Sequence, residues 1–458
     1  MLRNHSRWSR FAVFALAISS AAASSCAAPP VIPDTSREIA VATGRESDIA
    51  FRWSGAPLDD DGILLSAGVL GREEAIGAAL RCDPRIQSAL ARVRIALAES
   101  ERARIWPNPI LSIAFRLPEG GATPRVEAEL AAELIALLRR PRRVRAADHR
   151  MSRASADAVA TALDVVAETE ETYAQAQASD AAIPSLERRL AIVTRLEELS
   201  RARLAAGEGS RPERTAIESR RIEVEIETEA AKRKQLETRL RLLRLVGRPS
   251  SGTEFALEPW RAPESAVLAE SECVREALER RPEIRARRLA LLALDEESGL
   301  AESSWLAGAS FGIDAERDGD WSAGPAASLP FPVFDPGTPE RARIAAERAE
   351  HWHEITLAER RIVEDVRGAH EALRYSVGSL ARVRDELIPS QERRRRRDAE
   401  ALFRAGESDV TPVLLAEQDL QRAATMRVEL ELEASIARSR LERAVGGSAA
   451  LPESAGQP

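Results

Sequence analysis

The sequence predicts a mainly helical protein with a small β part, built from one unit that occurs twice. Trp106 recurs as Trp305 and Pro141 as Pro339, at an offset of 198 or 199 residues, and such a fixed offset over most of a chain indicates internal duplication. Charged residues make up 30% of the chain and aromatic residues 4%, which is typical of long solvated helices rather than a thick globular core. Similar offsets separate Asp83-Pro84 from Arg281-Pro282, Gly207 from Gly406, and Val246-Gly247 from Val445-Gly446.

Each repeat is predicted to contain a helix, a β-hairpin and a long helical hairpin. The 458 residues therefore form two similar halves, joined by a linker rich in Gly, Pro and Ser. The predicted boundaries are a signal peptide at 1–25, an extended N-terminal segment at 26–70, a first repeat at 71–247, a linker at 248–263, a second repeat at 264–446 and a C-terminal tail at 447–458.

The N-terminus has the features of a targeting segment. Arg3, Arg7 and Arg10 form a basic start, and the apolar stretch at 11–18 is too short to span a bilayer. The small residues before Cys26 resemble a bacterial lipobox, which implies that Cys26 is lipidated and anchors the chain to the outer membrane. Ordinary cleavage beside an incidental cysteine is the alternative.

The first hairpin is predicted from alternating side chains. Leu111, Ile113 and Phe115 alternate with polar or small residues, and a second alternating run begins near Val126, which indicates strands at about 109–118 and 124–137. A helix over the second run is the alternative, because Ala, Glu and Leu are good helix formers. The second repeat supports the strand prediction, since its equivalent segment is predicted as a hairpin and has no comparable tendency to form a helix.

The second hairpin is predicted at about 304–315 and 321–334, with its turn at 316–320. Aromatic residues are rare in this chain and collect at the hairpins, as they do where a protein meets a membrane interface. A soluble β-sheet core is the alternative, but four short strands with one charged face have no second sheet to pack against. The predicted membrane-interface aromatics are Trp106, Phe115, Trp305, Phe311, Trp321, Phe331 and Phe334.

The long helices are predicted at 141–246 and 339–445, and each reverses direction at a glycine, Gly207 or Gly406. The stretch from Pro141 to Gly207 is about 100 Å long if it is continuous, at 1.5 Å per residue. The apolar residues keep a spacing of three and four, which indicates that the helices pack side by side.

The predicted hairpins imply an oligomer. In lipid every backbone N–H and C=O needs a partner, so a four-stranded sheet with open edges cannot lie there alone. A trimer supplies twelve strands, enough to close a β-barrel, and its long helices form an α-helical barrel beneath it. The charged strand face then lines water and the apolar face meets lipid.

Three motifs carry a resemblance to a known family. The sequence at 106–111 is similar to the Pro-Asn-Pro start of the first strand in the heavy-metal-efflux, CzcC-like branch of the TolC-type outer-membrane factors. The sequence at 329–335 resembles that family's passage from the last strand into the long helix. The sequence at 403–418 resembles its Gly-Xaa-Xaa-Ser helical turn and the helix that follows. The order of the motifs covers nearly the whole mature chain.

The resemblance implies a passive, trimeric exit duct in the outer membrane with a periplasmic helical barrel. Its implied partners are a second and third copy of itself, a periplasmic adaptor protein, an inner-membrane RND-type pump and outer-membrane lipid. Glu213 is a candidate residue for the aperture. The implied adaptor-docking tips are Arg203, Leu204, Gly207, Glu208, Ser210, Phe403, Gly406, Ser408 and Asp409.

The sequence gives no reason to expect an enzyme, a cofactor, a metal site or nucleic-acid binding. The run 308–312 matches a Gly-Xaa-Ser-Xaa-Gly pattern, but it lies inside a predicted strand rather than a strand-turn-helix elbow. His351 and His353 are two apart on a helix and point in different directions. The formal net charge of −7 does not favour binding to nucleic acid.

Two questions stay open at this stage. The alternatives to an efflux duct are a structural periplasmic coiled-coil lipoprotein without a pore, and a type I secretion channel. The arginine-rich run at 139–145 stands where strand meets helix, where positive charge opposes the helix dipole. Binding of lipid phosphates and simple solubilisation are both explanations for this run.

Overall fold

The structure is a computed structural model, and it describes residues 32–45, 49–53, 68–116, 125–260, 269–306, 308–318, 320–331, 333, 336–405 and 411–447. The predicted signal peptide, Cys26, Phe334, Gly406, Ser408 and Asp409 lie outside these residues. The backbone of Phe403 is helical.

The described elements follow the predicted order in both repeats. The N-terminal segment contains α1 (Thr35–Thr43) and β1 (Val69–Leu70). The first repeat contains α2 (Arg72–Cys82), α3 (Pro84–Arg104), β2 (Ile110–Arg116), β3 (Arg125–Ala132), α4 (Leu134–Ala205) and α5 (Arg211–Leu245). From the linker onward they are β4 (Ala256–Leu257), α6 (Glu270–Arg280), α7 (Pro282–Ala301), a 3-10 turn (Ser304–Leu306), β5 (Ser310–Asp318), β6 (Asp320–Ser328), α8 (Thr338–Arg382), a π-helical segment (Val383–Leu387), α9 (Ile388–Ala405) and α10 (Thr411–Val445).

The chain divides into two compact units. The sheet unit contains residues 92–154 and 287–353, and the helical unit contains residues 34–91, 155–286 and 354–447. The sheet unit holds β2, β3, β5 and β6 in one antiparallel sheet of that order. Each predicted hairpin is therefore present, and β3 pairs with β5 to join the two repeats.

The helical unit has one core for each repeat. In the first core Ile39 of α1 packs with Ile76 and Leu80 of α2 and with Leu163 of α4. In the second core Cys273 and Ala277 of α6 pack with Val366 of α8 and with Leu441 and Val445 of α10. A third cluster joins the first repeat to the segments on either side of it. Its buried Tyr173 donates a hydrogen bond of 2.7 Å to the Leu70 carbonyl beside the parallel pair of β1 and β4.

The duplication is visible in how each repeat ends. Gly247 follows the last helix of the first repeat with φ 83°, and a Cβ there would stand 2.6 Å from the Cβ of Cys82. Gly446 follows the last helix of the second repeat with φ 106°, and a Cβ there would stand 3.4 Å from the carbonyl carbon of Arg280. Cys82 and Arg280 each end the short helix that precedes a helix-starting proline. The paired landmarks of the sequence therefore meet in space.

The sequence predicted an extended N-terminal segment at 26–70, but the described part of this segment contains a helix. Thr35–Thr43 is a helix, α1, whose N-cap Asp34 accepts a hydrogen bond from the backbone N–H of Arg37 and whose C-cap Gly44 has φ 66°. Ile39 is fully buried in the first core, so tertiary packing stabilises this short helix.

The strands differ from their predicted bounds at both hairpins. The predicted strand at 124–137 ends at Ala132, and α4 begins at Leu134, because Leu and Ala after that point are good helix formers. The predicted strand at 304–315 begins only at Ser310, and its continuation to Asp318 takes up much of the predicted turn. The predicted strand at 321–334 ends at Ser328.

Among the described residues, no helix combines the length and apolar composition that crossing a bilayer requires.

Candidate functional site: a two-faced sheet and a helical tip

The sheet of four strands has two chemically different faces. The register pairs Leu111 with Leu130, Leu130 with Ile313, and Ile313 with Pro325. Directly paired residues point to the same side of a sheet, so one face is predominantly apolar across all four strands. Arg317, the register partner of Val126 and Trp321, is the charged residue on this face among those described. Its side chains are Leu111, Ile113, Phe115, Val126, Ala128, Leu130, Ala132, Phe311, Ile313, Ala315, Trp321, Ala323, Pro325 and Ala327.

This apolar face is exposed in the isolated chain. Phe115 is 74% exposed, Leu111 62%, Trp321 60% and Phe311 56%. A contiguous apolar surface of this kind is expected to be covered by lipid or by protein in the functional molecule. The face is therefore the best candidate for a surface in contact with hydrocarbon.

The opposite face is polar and rich in carboxylates. Arg116 bonds Glu127 at 2.9 Å, and Arg125 bonds Glu316 at 3.1 Å. The acidic residues on this face outnumber these two arginines, so the face carries a net negative charge. Its polar side chains are Ser112, Arg116, Arg125, Glu127, Glu129, Ser310, Asp314, Glu316, Asp320, Ser322 and Ser328.

Two carboxylates on this face oppose each other directly. Glu129 of β3 is the register partner of Asp314 of β5, and like charges in that position destabilise a sheet. Neither has an ion-pair partner within the part of the chain that the structure describes. The alternation of side chains along each strand predicted that both residues lie on the charged face. The sequence did not predict which residue of β5 would pair with Glu129 of β3.

The outer strands β2 and β6 leave two open edges. Pro325 lies in β6, and proline has no N–H to donate, so edge strands tolerate it better than central strands do. Each edge nevertheless presents a row of backbone donors and acceptors without a strand to pair with.

The predicted interface aromatics fall into two groups. Phe115, Phe311 and Trp321 lie in the strands, whereas Trp106 lies just before β2 and Trp305 lies in the 3-10 turn before β5. Trp106 is 48% exposed and Trp305 40%. The two tryptophans therefore stand at equivalent positions on the helical side of the sheet. Phe331 lies beyond the end of β6 and is exposed.

The predicted tip of the first repeat is a tight helical turn. Glu208 N–H donates to the Arg203 carbonyl at 2.9 Å, and Gly207 N–H donates to the Leu204 carbonyl at 3.1 Å. This pair of bonds is the Schellman pattern that ends a helix, and it places Gly207 in the left-handed region with φ 80°.

The next helix starts immediately after this turn. The Ser210 hydroxyl accepts a hydrogen bond of 3.3 Å from the Glu213 N–H and caps α5. Gly207, Glu208, Ser210 and Glu213 are exposed, and Arg203 and Leu204 are half-buried. The structure brings these predicted residues into one tip, and their docking role remains a prediction. Glu213 likewise remains a predicted aperture residue.

One histidine lies in a cluster that the sequence did not predict. Ligand atoms of Glu270, His370 and Glu371 lie within 4.8 Å of one another. Both carboxylates are already paired, Glu270 with Arg367 at 2.8 Å and Glu371 with Arg374 at 2.7 Å. A cation at this place would have to displace two guanidinium groups.

A buried ionic cluster lies near the end of the second repeat. Glu170 pairs with Arg45 at 3.0 Å and Arg72 at 2.9 Å, and it accepts a hydrogen bond of 2.8 Å from Ser439. Burial, and then the nearby Glu170 charge, raise the pKa of Glu442 above its ordinary value. The cluster links both repeats within the helical unit.

No protein-family model matches the sequence, and no curated protein matches it. Solved structures of outer-membrane channels share its fold. The outer-membrane channel OprN matches with 18% identity over 83% of this chain and 91% of that chain, with a TM-score of 0.67. The outer membrane protein VceC from Vibrio cholerae matches with 18% identity over 82% and 96%, with a TM-score of 0.67. CusC, solved for its folding and transmembrane channel formation, matches with 16% identity over 88% and 99%, with a TM-score of 0.67.

Proposed function

We propose that this chain is the outer-membrane exit duct of a tripartite efflux system, a passive channel made of three copies. The observation that carries the proposal is the two-faced sheet. One side of it is apolar and exposed, the other is acidic, and two strand edges are open. This is the arrangement of a barrel segment that has lipid outside and water inside.

The open edges favour a closed oligomer. An unpaired backbone group in hydrocarbon costs several kcal/mol, so β2 of one copy needs β6 of the next. With four strands per chain, three copies supply twelve strands, and this barrel is wide enough to hold a water-filled passage. The likeness to solved outer-membrane channels supports this reading of the sheet.

The long helices extend the passage into the periplasm in this proposal. The helix α4 spans 72 residues, about 100 Å at 1.5 Å per residue. The exposed turn at Gly207 is then the surface on which a periplasmic adaptor docks, with an inner-membrane RND-type pump behind it. The branch that handles heavy metals is suggested by the Pro107-Asn108-Pro109 motif alone.

The proposed location is the outer membrane, with the N-terminus anchored through lipid on Cys26. A passive duct needs no catalytic group. The cargo is set by the pump and adaptor rather than by this chain.

The proposal is tested by conductance and by strand-to-strand crosslinking. The full chain is extracted from membranes and added to planar bilayers, where stable unit conductance is expected. A matched pair of cysteines at Ser112 of β2 and Ser322 of β6 is expected to crosslink copies into a trimer. Cysteines at Ser112 and Glu129, in neighbouring strands of one chain, serve as the control and are expected to crosslink only within a copy.

A non-conducting monomer or dimer would contradict the proposal. That result would favour a structural coiled-coil lipoprotein without a pore.

A further inference from the structure

Four arginines at the start of α4 form a group that the proposed function does not explain. We call Arg139, Arg140, Arg142 and Arg143 the arginine collar. They lie in the second and third turns of α4, which begins at Leu134, two residues after β3 ends. Four like charges within five residues repel one another, and a bound anion would relieve this repulsion.

The collar is held by backbone and hydroxyl oxygens rather than by carboxylates. Arg139 donates to the Ser303 hydroxyl at 3.0 Å and to the Leu300 carbonyl. Arg140 donates through two N–H groups to the Arg104 carbonyl, at 2.9 and 2.7 Å. These hydrogen bonds orient the guanidinium groups but do not neutralise their positive charges.

The other two collar residues also form no ion pair within the part of the chain that the structure describes. Arg143 donates to the Ala136 carbonyl at 3.3 Å, and its buried Nε has no hydrogen-bond partner in the part of the chain that the structure describes. The exposed Arg142 lies across Gly299, with its guanidinium where a Cβ would stand. Gly299 therefore provides the space through which Arg142 reaches the surface.

Neighbouring arginines of the sheet unit behave differently. Arg145 pairs with Glu296 at 2.6 Å, and Arg348 pairs with Asp295 at 2.7 Å. No carboxylate among the described residues forms an ion pair with a collar arginine, although Glu296, the partner of Arg145, is near enough to attract Arg142. Burial, and then the charge of Arg143, lower the pKa of Arg139. The collar is therefore a local excess of positive charge.

The second repeat lacks this excess at the equivalent place. With the 198-residue offset between Pro141 and Pro339, Arg142 corresponds to Glu340. Glu340 pairs with Arg343 at 2.7 Å, which neutralises the start of α8. The dense cluster of arginines without ion pairs therefore occurs in the first repeat and has no equivalent at the start of α8.

The collar adjoins the aromatic and apolar surface of the sheet unit. Arg140 lies over the ring of Trp106, 5.4 Å from its centroid, and Arg139 donates to Ser303, two residues before the exposed Trp305. Tryptophan at this kind of boundary is typical of the headgroup layer of a membrane. An anion that reaches the collar is therefore expected to carry hydrocarbon.

We propose that the arginine collar binds the phosphodiester of an anionic phospholipid in the periplasmic leaflet, with acyl chains against the apolar face of the sheet. Guanidinium groups bind phosphate oxygens through paired N–H donors, and Arg140, Arg142 and Arg143 keep donors for this. The proposal rests on the proposed membrane position of the sheet, and it names the lipid contact.

The test uses the full chain in mild detergent. Short-chain phosphatidylglycerol, short-chain phosphatidylcholine and inorganic phosphate are titrated while the thermal unfolding midpoint is recorded. Phosphatidylglycerol is expected to raise the midpoint most, and the triple variant R140Q/R142Q/R143Q is expected to lose roughly tenfold or more in affinity. The variant R341Q, at the position of the second repeat that corresponds to Arg143, is the matched control and should respond like the unmodified chain.

Two results would overturn the proposal: an unchanged phosphatidylglycerol response in the triple variant, or a full response to inorganic phosphate alone, which indicates a free-anion site. If the triple variant misfolds, the single variant R142Q tests the proposal instead. Arg142 makes no hydrogen bond in the described part of the chain, so its replacement breaks none there. A roughly fivefold loss of affinity for phosphatidylglycerol is expected. Lipid binding in detergent needs no conducting pore, so a chain that binds through the collar yet fails to conduct contradicts only the proposed channel.

Discussion

Gly312 of β5 lies directly against the Leu130 carbonyl of β3, and a Cβ at position 312 would stand 2.3 Å from that oxygen. The same Cβ would stand 2.8 Å from the Cα of Ala131, the register partner of Gly312. The contact joins the hairpins of the two repeats. The close approach of β3 and β5 therefore depends on a glycine here.

Gly312→Ala is expected to separate β3 from β5 and to destabilise the sheet by about 1–3 kcal/mol, the usual cost of overpacking. Thermal unfolding and the fraction of trimer after extraction measure this effect. Gly324→Ala is the matched control, because Gly324 lies in the same sheet with nothing within 4 Å of its Cβ position. Equal behaviour of the two variants would contradict the predicted contact.

The opposed pair Glu129 and Asp314 gives a prediction with two readouts. Glu129→Gln removes one of two facing like charges, and it is expected to stabilise the sheet by about 0.2–1 kcal/mol. The same change is expected to weaken the preference of the channel for cations, measured as a smaller reversal potential in a salt gradient. Glu316→Gln is the control for stability, because it breaks the pair with Arg125 and should give no gain.

Two substitutions of glycine by alanine, one at the helical tip and one inside α8, are expected to have opposite effects on stability. Gly207 has φ 80°, so Gly207→Ala is expected to cost about 1 kcal/mol and to weaken adaptor binding in a pull-down. Gly378 lies inside α8 with nothing within 4 Å of its Cβ position, so Gly378→Ala is expected to stabilise by about 1 kcal/mol. If adaptor binding falls equally in both variants, the docking role of the tip is wrong.

Glu442 predicts a pH dependence of stability. Because burial raises its pKa, the protonated form is favoured in the folded state, and stability from this residue is lost as pH rises through the raised pKa. Glu442→Gln is therefore expected to raise the unfolding midpoint at neutral pH and to have little effect at pH values below the ordinary carboxyl range. Gln keeps the oxygen that accepts from Arg438 at 3.0 Å.

The control for this prediction is Glu371, whose pKa is shifted in the opposite direction. The exposed Glu371 has its pKa lowered by its hydrogen bonds with Arg374, so Glu371→Gln should show no gain at neutral pH. A pH-independent effect of Glu442→Gln would show that packing rather than ionisation governs the site.

The sequence was sufficient for features that depend on local chemistry. The alternation through Leu111, Ile113 and Phe115 identified a strand with two faces, since side chains alternate along any strand. Gly207 identified the turn, because few other residues adopt a positive φ. The fixed offset between the repeats then placed the second hairpin in the same way.

Features that depend on tertiary contacts were not predictable in the same way. The helix α1 forms because Ile39 is buried in a distant core, although Asp34 and Gly44 were local signals for its ends. The strand β3 ends at Ala132 within a segment whose composition suits helix and strand alike. The facing of Glu129 and Asp314 follows from the pairing of two hairpins that lie far apart in sequence.

The open edges of β2 and β6 also bear on how the molecule matures. In the proposed trimer, each sheet gains its last hydrogen bonds only by association with other copies, so its stability rises with the local concentration of subunits. Single copies waiting for partners carry exposed edges that recruit any extended chain. Rapid encounter of sister copies at the membrane, more than the speed of each subunit's own folding, is therefore expected to limit the yield of finished protein.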